Sequence, residues 1–391
     1  MPGMLTIAAS LLLMVIAVPD LVITVELLLG LRPRPLGAPD RTLPKTAVLV
    51  PAHNEGAGIS AMLARTMPLL PAGMRILVVA DNCTDDTATL ARAAGAEVTE
   101  RQDATHRGKG HALAHGRAML AADSPEVVII LDADCVPEPG AMARLAHNAA
   151  VAGRPVQASY LIEPCPTASP MIQISGFAFL VKNLVRQAGL SRMGAPVVLT
   201  GSGMAFPWAD FMAAPLATDD IVEDLAIGIA LARRGSSPLF DPAACIWTPP
   251  AGRGGTLGQR TRWEHGFVTT ARRVTLPLVR EGFARGRPGL IWLGLHVAVP
   301  PLALLLALNG AFLAVLAISW ALGASVVPLA VDALLVALIG VSVVLAWGLH
   351  GRRQVSARTL MLVPFYLLWK IPIYLRLVTG AETRWVRTDR N

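Results

Sequence analysis

Charged side chains are scarce in this chain: 16% of its 391 residues, against roughly a quarter in an ordinary soluble domain. With 53% hydrophobic residues and a mean hydropathy of +0.53, the composition excludes a simple water-soluble protein. Cysteine is scarce too. Cys83, Cys135, Cys165 and Cys245 show no paired spacing, which argues against a disulfide framework or a zinc site. His53, His106, His111, His115 and His265 do not cluster as metal ligands do. Phosphate-binding fingerprints are missing: the chain has neither a Walker A loop nor a dinucleotide motif. Internal repeats and low-complexity tracts are absent as well. The excess of positive charge is small, +7 overall. It calls for no nucleic acid, because anionic lipid head groups and phosphorylated substrates account for it equally.

What the chain has instead is long apolar runs. Residues 4–30 are nearly uninterrupted apart from Asp20 and Glu26, and so are most of 289–349 and 359–379. Each run meets the ~20 residues that a membrane-spanning helix needs. The first lacks a basic leading segment and a small-residue cleavage site, so it reads as a retained anchor over 1–31. Arg32, Arg34, Arg41 and Lys45 flank one end of the polar middle. Arg272, Arg273, Arg280, Arg285 and Arg287 flank the other, which favours a cytoplasmic middle. The basic loop 350–358 fits a hairpin over 300–349. The basic tail beyond 383 conflicts with a fourth crossing, so either 359–379 lies partly in the interface or the charge rule fails there. Asp20, Glu26, Asp332 and Lys370 are scattered in sequence and trace no polar pathway for a transporter.

In the middle, short β-prone runs alternate with helical ones. Strands are expected at 46–50, 75–80, 96–99 and 126–131, and helices at 58–70, 84–94 and 109–122. This order implies an α/β, mostly parallel sheet whose ligands sit at the carboxyl ends of its strands. Beyond it, 155–162 reads as a strand and 170–187 and 218–235 as helices. From 255 to 285 a basic helix runs up to the membrane.

Polar clusters fall at those strand ends. Val127-Val-Ile-Ile-Leu-Asp-Ala-Asp134 ends in two carboxylates two positions apart. In a strand they point to one side, so both can meet a hard cation such as Mg²⁺ or Mn²⁺. Glu55, in Pro51-Ala-His-Asn-Glu55, is either a ligand to a base or ribose or part of a helix start capped by Asn54. Asp81 is placed to read the imide edge of a pyrimidine, with Thr84 or Asp85 capping the next helix. Lys109, in Arg107-Gly-Lys-Gly110, opens a helix whose N-terminus attracts phosphate. Asp224, beside Glu223, is either a helix cap or a general base for an acceptor hydroxyl. In Gln259-Arg-Thr-Arg-Trp263, Arg262 can clamp a diphosphate and Trp263 can face a sugar; an interfacial Arg/Trp belt is the alternative.

Taken in order, Asp81, Asp132-Ala-Asp134, Glu223-Asp224 and Gln259-Arg-Thr-Arg-Trp263 resemble the D, DxD, D, QxxRW signature of membrane-bound family 2 glycosyltransferases. Those include cellulose, chitin, hyaluronan and poly-N-acetylglucosamine synthases and ceramide glucosyltransferase. Val48-Leu-Val-Pro-Ala-His-Asn-Glu55 and the Lys109 loop are similar to bacterial members. The resemblance covers about 46–265 and implies a GT-A fold over 32–254, an interface helix over 255–288 and apolar helices over 289–391. It further implies an integral protein of the bacterial inner membrane with its catalytic domain in the cytoplasm. The implied reaction is inverting transfer from a nucleotide-diphospho-sugar, with a lean to UDP, onto a lipid-linked or polysaccharide acceptor.

By the same resemblance, Asp81 with Glu55 contacts the base or ribose, Lys109 lies near the diphosphate and Asp134 binds Mg²⁺ or Mn²⁺. Asp132 serves the nucleotide or the metal. Asp224 is the base, and Gln259, Arg262 and Trp263 shape the leaving-group and acceptor site. Membrane lipids and other members of a polysaccharide synthesis or export complex are the implied partners. Thr200-Gly-Ser-Gly203 matches the acceptor motif of the polymerising members only loosely, and Leu225-Ala-Ile227 replaces the Arg-His seen in chitin and hyaluronan synthases. Both departures point away from processive synthesis and towards the alternative, a single-addition glycolipid or polyprenyl-phosphate sugar synthase. A catalytically silent scaffold would be expected to lack one of these carboxylates, and none is missing.

Overall fold

A computed structural model describes residues 2–38, 42–218, 222–250 and 253–379; side chains are described for these except at 2, 253–263, 373 and 375–379. The chain divides into two units: one from Pro33–Glu163 and Gly194–Gly258, the other from Met1–Arg32, Pro164–Met193 and Gln259–Glu382.

The first unit is built on an eight-stranded sheet. Its strands are β1 (Thr46–Ala52), β2 (Arg75–Asp81), β3 (Glu97–Arg101), β4 (Val127–Ile130), β5 (Val136–Pro137), β6 (Val156–Ile162), β7 (Met204–Pro207) and β8 (Leu239–Thr248). Their order is β3-β2-β1-β4-β7-β6-β8-β5. The first four run parallel. Val48, Leu49, Val50, Val78, Val79 and all of β4 are buried, the continuous apolar pattern of strands covered on both faces. On one face Leu49, Val79, Val128 and Ile130 share a core with Ala112, Leu113 and Leu120 of the helix Lys109–Leu120. Burying each such side chain contributes about 1.5–3 kcal/mol, so this core fixes both the sheet and the helix that carries Lys109.

Next comes a reversal that the alternating pattern did not foretell. β7 lies antiparallel to β4, with Ile130 opposite Met204, and β6 lies antiparallel to β7, with Gln157 opposite Met204. An antiparallel neighbour sets its amino end beside the carboxyl end of β4. Residues 200–203 are thereby brought beside Asp132.

The second unit is helical. Gly3–Gly30, Leu302–Ala321 and Val327–Gly351 are long and apolar enough to cross a membrane. The helix expected over 170–187 is present and runs on to Arg192, with a six-residue π-helical stretch, Val181–Arg186, between Pro170–Leu180 and Gln187–Arg192. A Cβ on Gly189 would lie 2.1 Å from the Glu26 carbonyl oxygen, so glycine there lets two backbones touch. The acidic and basic residues that looked scattered are gathered. Buried Glu26 accepts from Arg186 Nε at 2.6 Å and meets His296 Nδ1 at 2.8 Å. Lys370 pairs with Glu264, and Asn309 Nδ2 donates to Asp20 at 2.9 Å.

Candidate active site

Asp132 and Asp134 follow β4 as the sequence implied, and the loop before β7 completes the corner. Gly203 N donates to Ile130 O at 2.9 Å, and Asp132 N donates to Ser202 Oγ at 3.0 Å. Gln157, fully buried on β6, braces that loop from beneath. Its Nε2 donates to Ser202 O at 2.9 Å, and its Oε1 accepts from Thr200 N at 3.0 Å. Gly201, at φ +94°, makes a turn that L side chains rarely adopt.

Three charged groups converge on Gly201. The point where a Cβ would begin lies 3.4 Å from Asp224 Oδ2, 3.6 Å from Lys109 Nζ and 4.0 Å from Asp132 Oδ2. Lys109 Nζ donates to Asp132 Oδ1 at 2.5 Å and to Gly201 O at 2.6 Å, with Glu223 Oε1 4.0 Å away. Glu223 and Asp224 open the helix Glu223–Arg233, whose cap residue is Val222. Neither carboxylate stands at the cap position itself, though Asp224 does take up an N–H of the first turn. Asp224 Oδ1 accepts from Leu225 N at 2.8 Å. Burial opposes the Lys109 ammonium, but the Asp132 and Glu223 carboxylates outweigh it and raise its pKa above the lysine norm. Burial, then the neighbouring Asp224 charge, pushes the Glu223 carboxyl up to about 8 against the pull of Lys109.

Asp81 ends β2, two strands from β4 across β1, a spacing of about 10 Å along the sheet edge. Sequence reading missed its partner: Arg101 Nη1, at the end of β3, donates to Asp81 Oδ1 at 2.6 Å, both side chains being nearly buried. Glu55 stands at the start of the helix Gly56–Thr66 and makes no side-chain cap bond. Asn54 does not cap that helix either. At φ 52° it bonds Thr84 N through Oδ1 at 2.7 Å. Asn82, at φ 51°, does the same one strand over, to Asp103 N at 2.8 Å. Each strand-end loop is thereby stapled to the next. The helix Thr87–Ala93 starts from Asp86, which makes no side-chain cap bond; Asp85, one residue earlier, accepts from Thr87 N at 3.1 Å.

Asp132, Asp134 and Cys135 offer ligand atoms within 4.8 Å of one another. Burial, reinforced by Asp134 and Asp132, holds the Cys135 thiol well above its usual pKa, so it stays a neutral donor to Asp134 Oδ1 at 3.3 Å. That leaves an all-oxygen pair. Thr248 Oγ1, carried by β8, lies 3.4 Å from Asp134 Oδ2. Carboxylates without a thiolate suit Mg²⁺ or Mn²⁺ rather than a soft metal.

Gln259, Arg262 and Trp263 fall on the helix Arg253–Ala284, and their side chains lie outside the described residues. The residues that sequence reading missed are Arg101, Gln157, Gly201 and Ser202. The last two lay in a stretch noted only as a loose motif.

The family model "Glycosyltransferase like family 2" matches residues 44–266. An uncharacterized glycosyltransferase of Mycobacterium tuberculosis is 40% identical over 98 residues, 25% of this chain and 40% of that protein. The poly-beta-1,6-N-acetyl-D-glucosamine synthase of Staphylococcus aureus is 27% identical over 253 residues, 59% of this chain and 58% of that one. The chain thus spans about half the length of the curated relatives it matches. Among solved structures, a mannosyltransferase from Pyrobaculum calidifontis in complex with GDP-Man and Mn²⁺ has a TM-score of 0.54 at 19% identity. That likeness covers 98% of this chain and 100% of the other.

Proposed function

The chain belongs to glycosyltransferase family 2, and on that premise we propose that it is an inverting hexosyltransferase. It moves a sugar from a nucleotide-diphospho-sugar, UDP-linked in our reading, to a lipid-linked or polysaccharide acceptor at the cytoplasmic membrane face. The observation that supports this most is the convergence of Lys109, Asp132 and Asp224 on Gly201 at the carboxyl edge of a GT-A sheet.

In this reading Asp224 accepts the proton of the acceptor hydroxyl. The freed oxygen forms its bond to the anomeric carbon from the face opposite the diphosphate. The bond from that carbon to the diphosphate oxygen breaks, and the nucleoside diphosphate leaves with the electron pair. A single displacement turns an α-linked donor into a β-linked product. Asp134 and Asp132 would hold Mg²⁺ or Mn²⁺, which supplies positive charge against the leaving diphosphate. Lys109 adds a fixed cation beside them. Asp81, oriented by Arg101, binds the base or ribose with Glu55 nearby, while Gln259, Arg262 and Trp263 serve the diphosphate and acceptor.

One observation favours single addition over polymerisation. Among the described residues only three helices are long and apolar enough to cross a membrane, few to enclose a translocated polymer within one chain. Purified membranes screened against nucleotide sugars, with and without Mn²⁺ and Mg²⁺, test the reading through released nucleoside diphosphate. We expect acceptor-dependent release that chelator abolishes; release indifferent to chelator would refute the metal pair. The length of labelled product on gel filtration separates the two modes.

A further inference from the structure

The helix Pro2–Gly30 carries two buried acids, and the protein treats them differently. Glu26 is answered by Arg186 and His296. Asp20, under two turns earlier, has no such cation among the described residues. It meets Asn309 on the helix Leu302–Ala321, while Asp332 adds a second carboxylate on the helix Val327–Ala346, which packs against both. All three side chains are fully buried, and the three helices pack on one another. The Asn309 amide donates to Asp20 Oδ1. Four acceptor atoms are left without a hydrogen-bond partner: Asp20 Oδ2, Asn309 Oδ1 and both oxygens of Asp332.

Two carboxylates in an apolar helix packing, each costing several kcal/mol to bury as an ion, require neutralisation. A single proton shared between the acids would satisfy two of the four orphan oxygens and leave one negative charge; only protonation of both acids would do what a metal cation does, and the pH dependence of melting separates the two. A hard divalent cation takes about six or more oxygen ligands, of which these four would be part, and its charge of 2+ matches the two carboxylates. We propose that Asp20, Asn309 and Asp332 form a binding site for a hard divalent cation of the Ca²⁺ or Mg²⁺ class. Bound there, it ties Pro2–Gly30 to Leu302–Ala321 and Val327–Ala346. The site uses none of the residues of the Asp132–Asp134 pair and does not depend on the transfer reaction.

The test uses the full-length chain in detergent micelles, with Asp132→Asn and Asp134→Asn in every sample so that the sheet's acids contribute nothing. Ca²⁺ alone is the probe, followed by equilibrium dialysis and by the thermal unfolding midpoint. The background protein is expected to bind a single Ca²⁺ and to melt higher with it. Adding Asp332→Asn should weaken binding at least ~10-fold and remove the shift, while leaving the midpoint in chelator equal or higher. A purely structural acid would lower that midpoint. Should Asp332→Asn fail to fold, Asp20→Asn and Asn309→Leu decide by the same loss of Ca²⁺. Binding unchanged by these variants, or a background that binds no Ca²⁺ and instead melts lower as pH rises, overturns the proposal; the second outcome assigns a protonated acid pair.

Discussion

Replacing Lys109 with Met removes the ammonium that bonds Asp132 and leaves Asp132, Glu223 and Asp224 without it. The Lys109 and Asp132 side chains are 22% and 26% exposed, between a buried pair and a surface one. Breaking a buried pair costs ~3–5 kcal/mol and losing an exposed one below ~1, so about 2 kcal/mol is expected here. For a unit of this size that lowers the unfolding midpoint by roughly 4–8 °C. The assay is a double-mutant cycle by thermal unfolding of the full chain, in chelator, with Lys109→Met, Asp132→Asn and both together. In the double variant the carboxylate left behind is gone, so it should be less destabilised than the sum of the singles. The coupling should reach ~1–2 kcal/mol. Additivity within ~0.3 kcal/mol would refute the argument that this pair organises the corner.

Other consequences follow from the same geometry. Gly201→Ala puts a methyl at φ +94°, 3.4 Å from Asp224 Oδ2; the strain costs ~1–3 kcal/mol, and transfer should fall at least tenfold in the nucleoside diphosphate assay. Because the Glu223 carboxyl is raised from 4.5 to about 8, the folded state holds that proton more tightly than the unfolded one. Its stabilisation is complete below pH 4.5 and is lost as pH rises through about 8. Denaturant titrations at several pH values should show that slope in the wild type and a flatter profile in Glu223→Gln. Arg101→Ala frees Asp81 and should raise the donor KM more than it lowers kcat, with a stability loss of ~2–3 kcal/mol. An unchanged donor KM would argue against Asp81 as a donor contact.

Much of the first four strands could be read directly, because Val48–Val50, Val78–Val79 and Val127–Ile130 are apolar runs buried on both faces. Their carboxyl ends placed Asp81 and Asp132 at one edge before any coordinates. β7 was illegible. Four residues ending in proline make a strand only because β4 and β6 pair with them from either side. With β7 went the register that sets Gly201 and Ser202 against Asp132 and lets Gln157 brace them. Long-range pairing of this kind leaves no local period in sequence. Arg101 was hidden for the same reason, since its partner lies 20 residues away on the neighbouring strand. Asn54 looked like a helix cap because asparagine suits caps, yet its left-handed backbone turns the side chain across to Thr84. The acids of the apolar helices seemed unrelated because Asp20 and Asp332 come together only when three separate helices pack.

Asp224→Asn is the most direct measurement of the central claim, that one carboxylate beside the Asp132 corner takes the acceptor's proton. The amide keeps the shape and removes the base. Transfer, read as nucleoside diphosphate released with acceptor present, should drop at least ~100-fold while donor affinity stays within a few-fold of wild type. Turnover close to wild type in that variant would contradict the account.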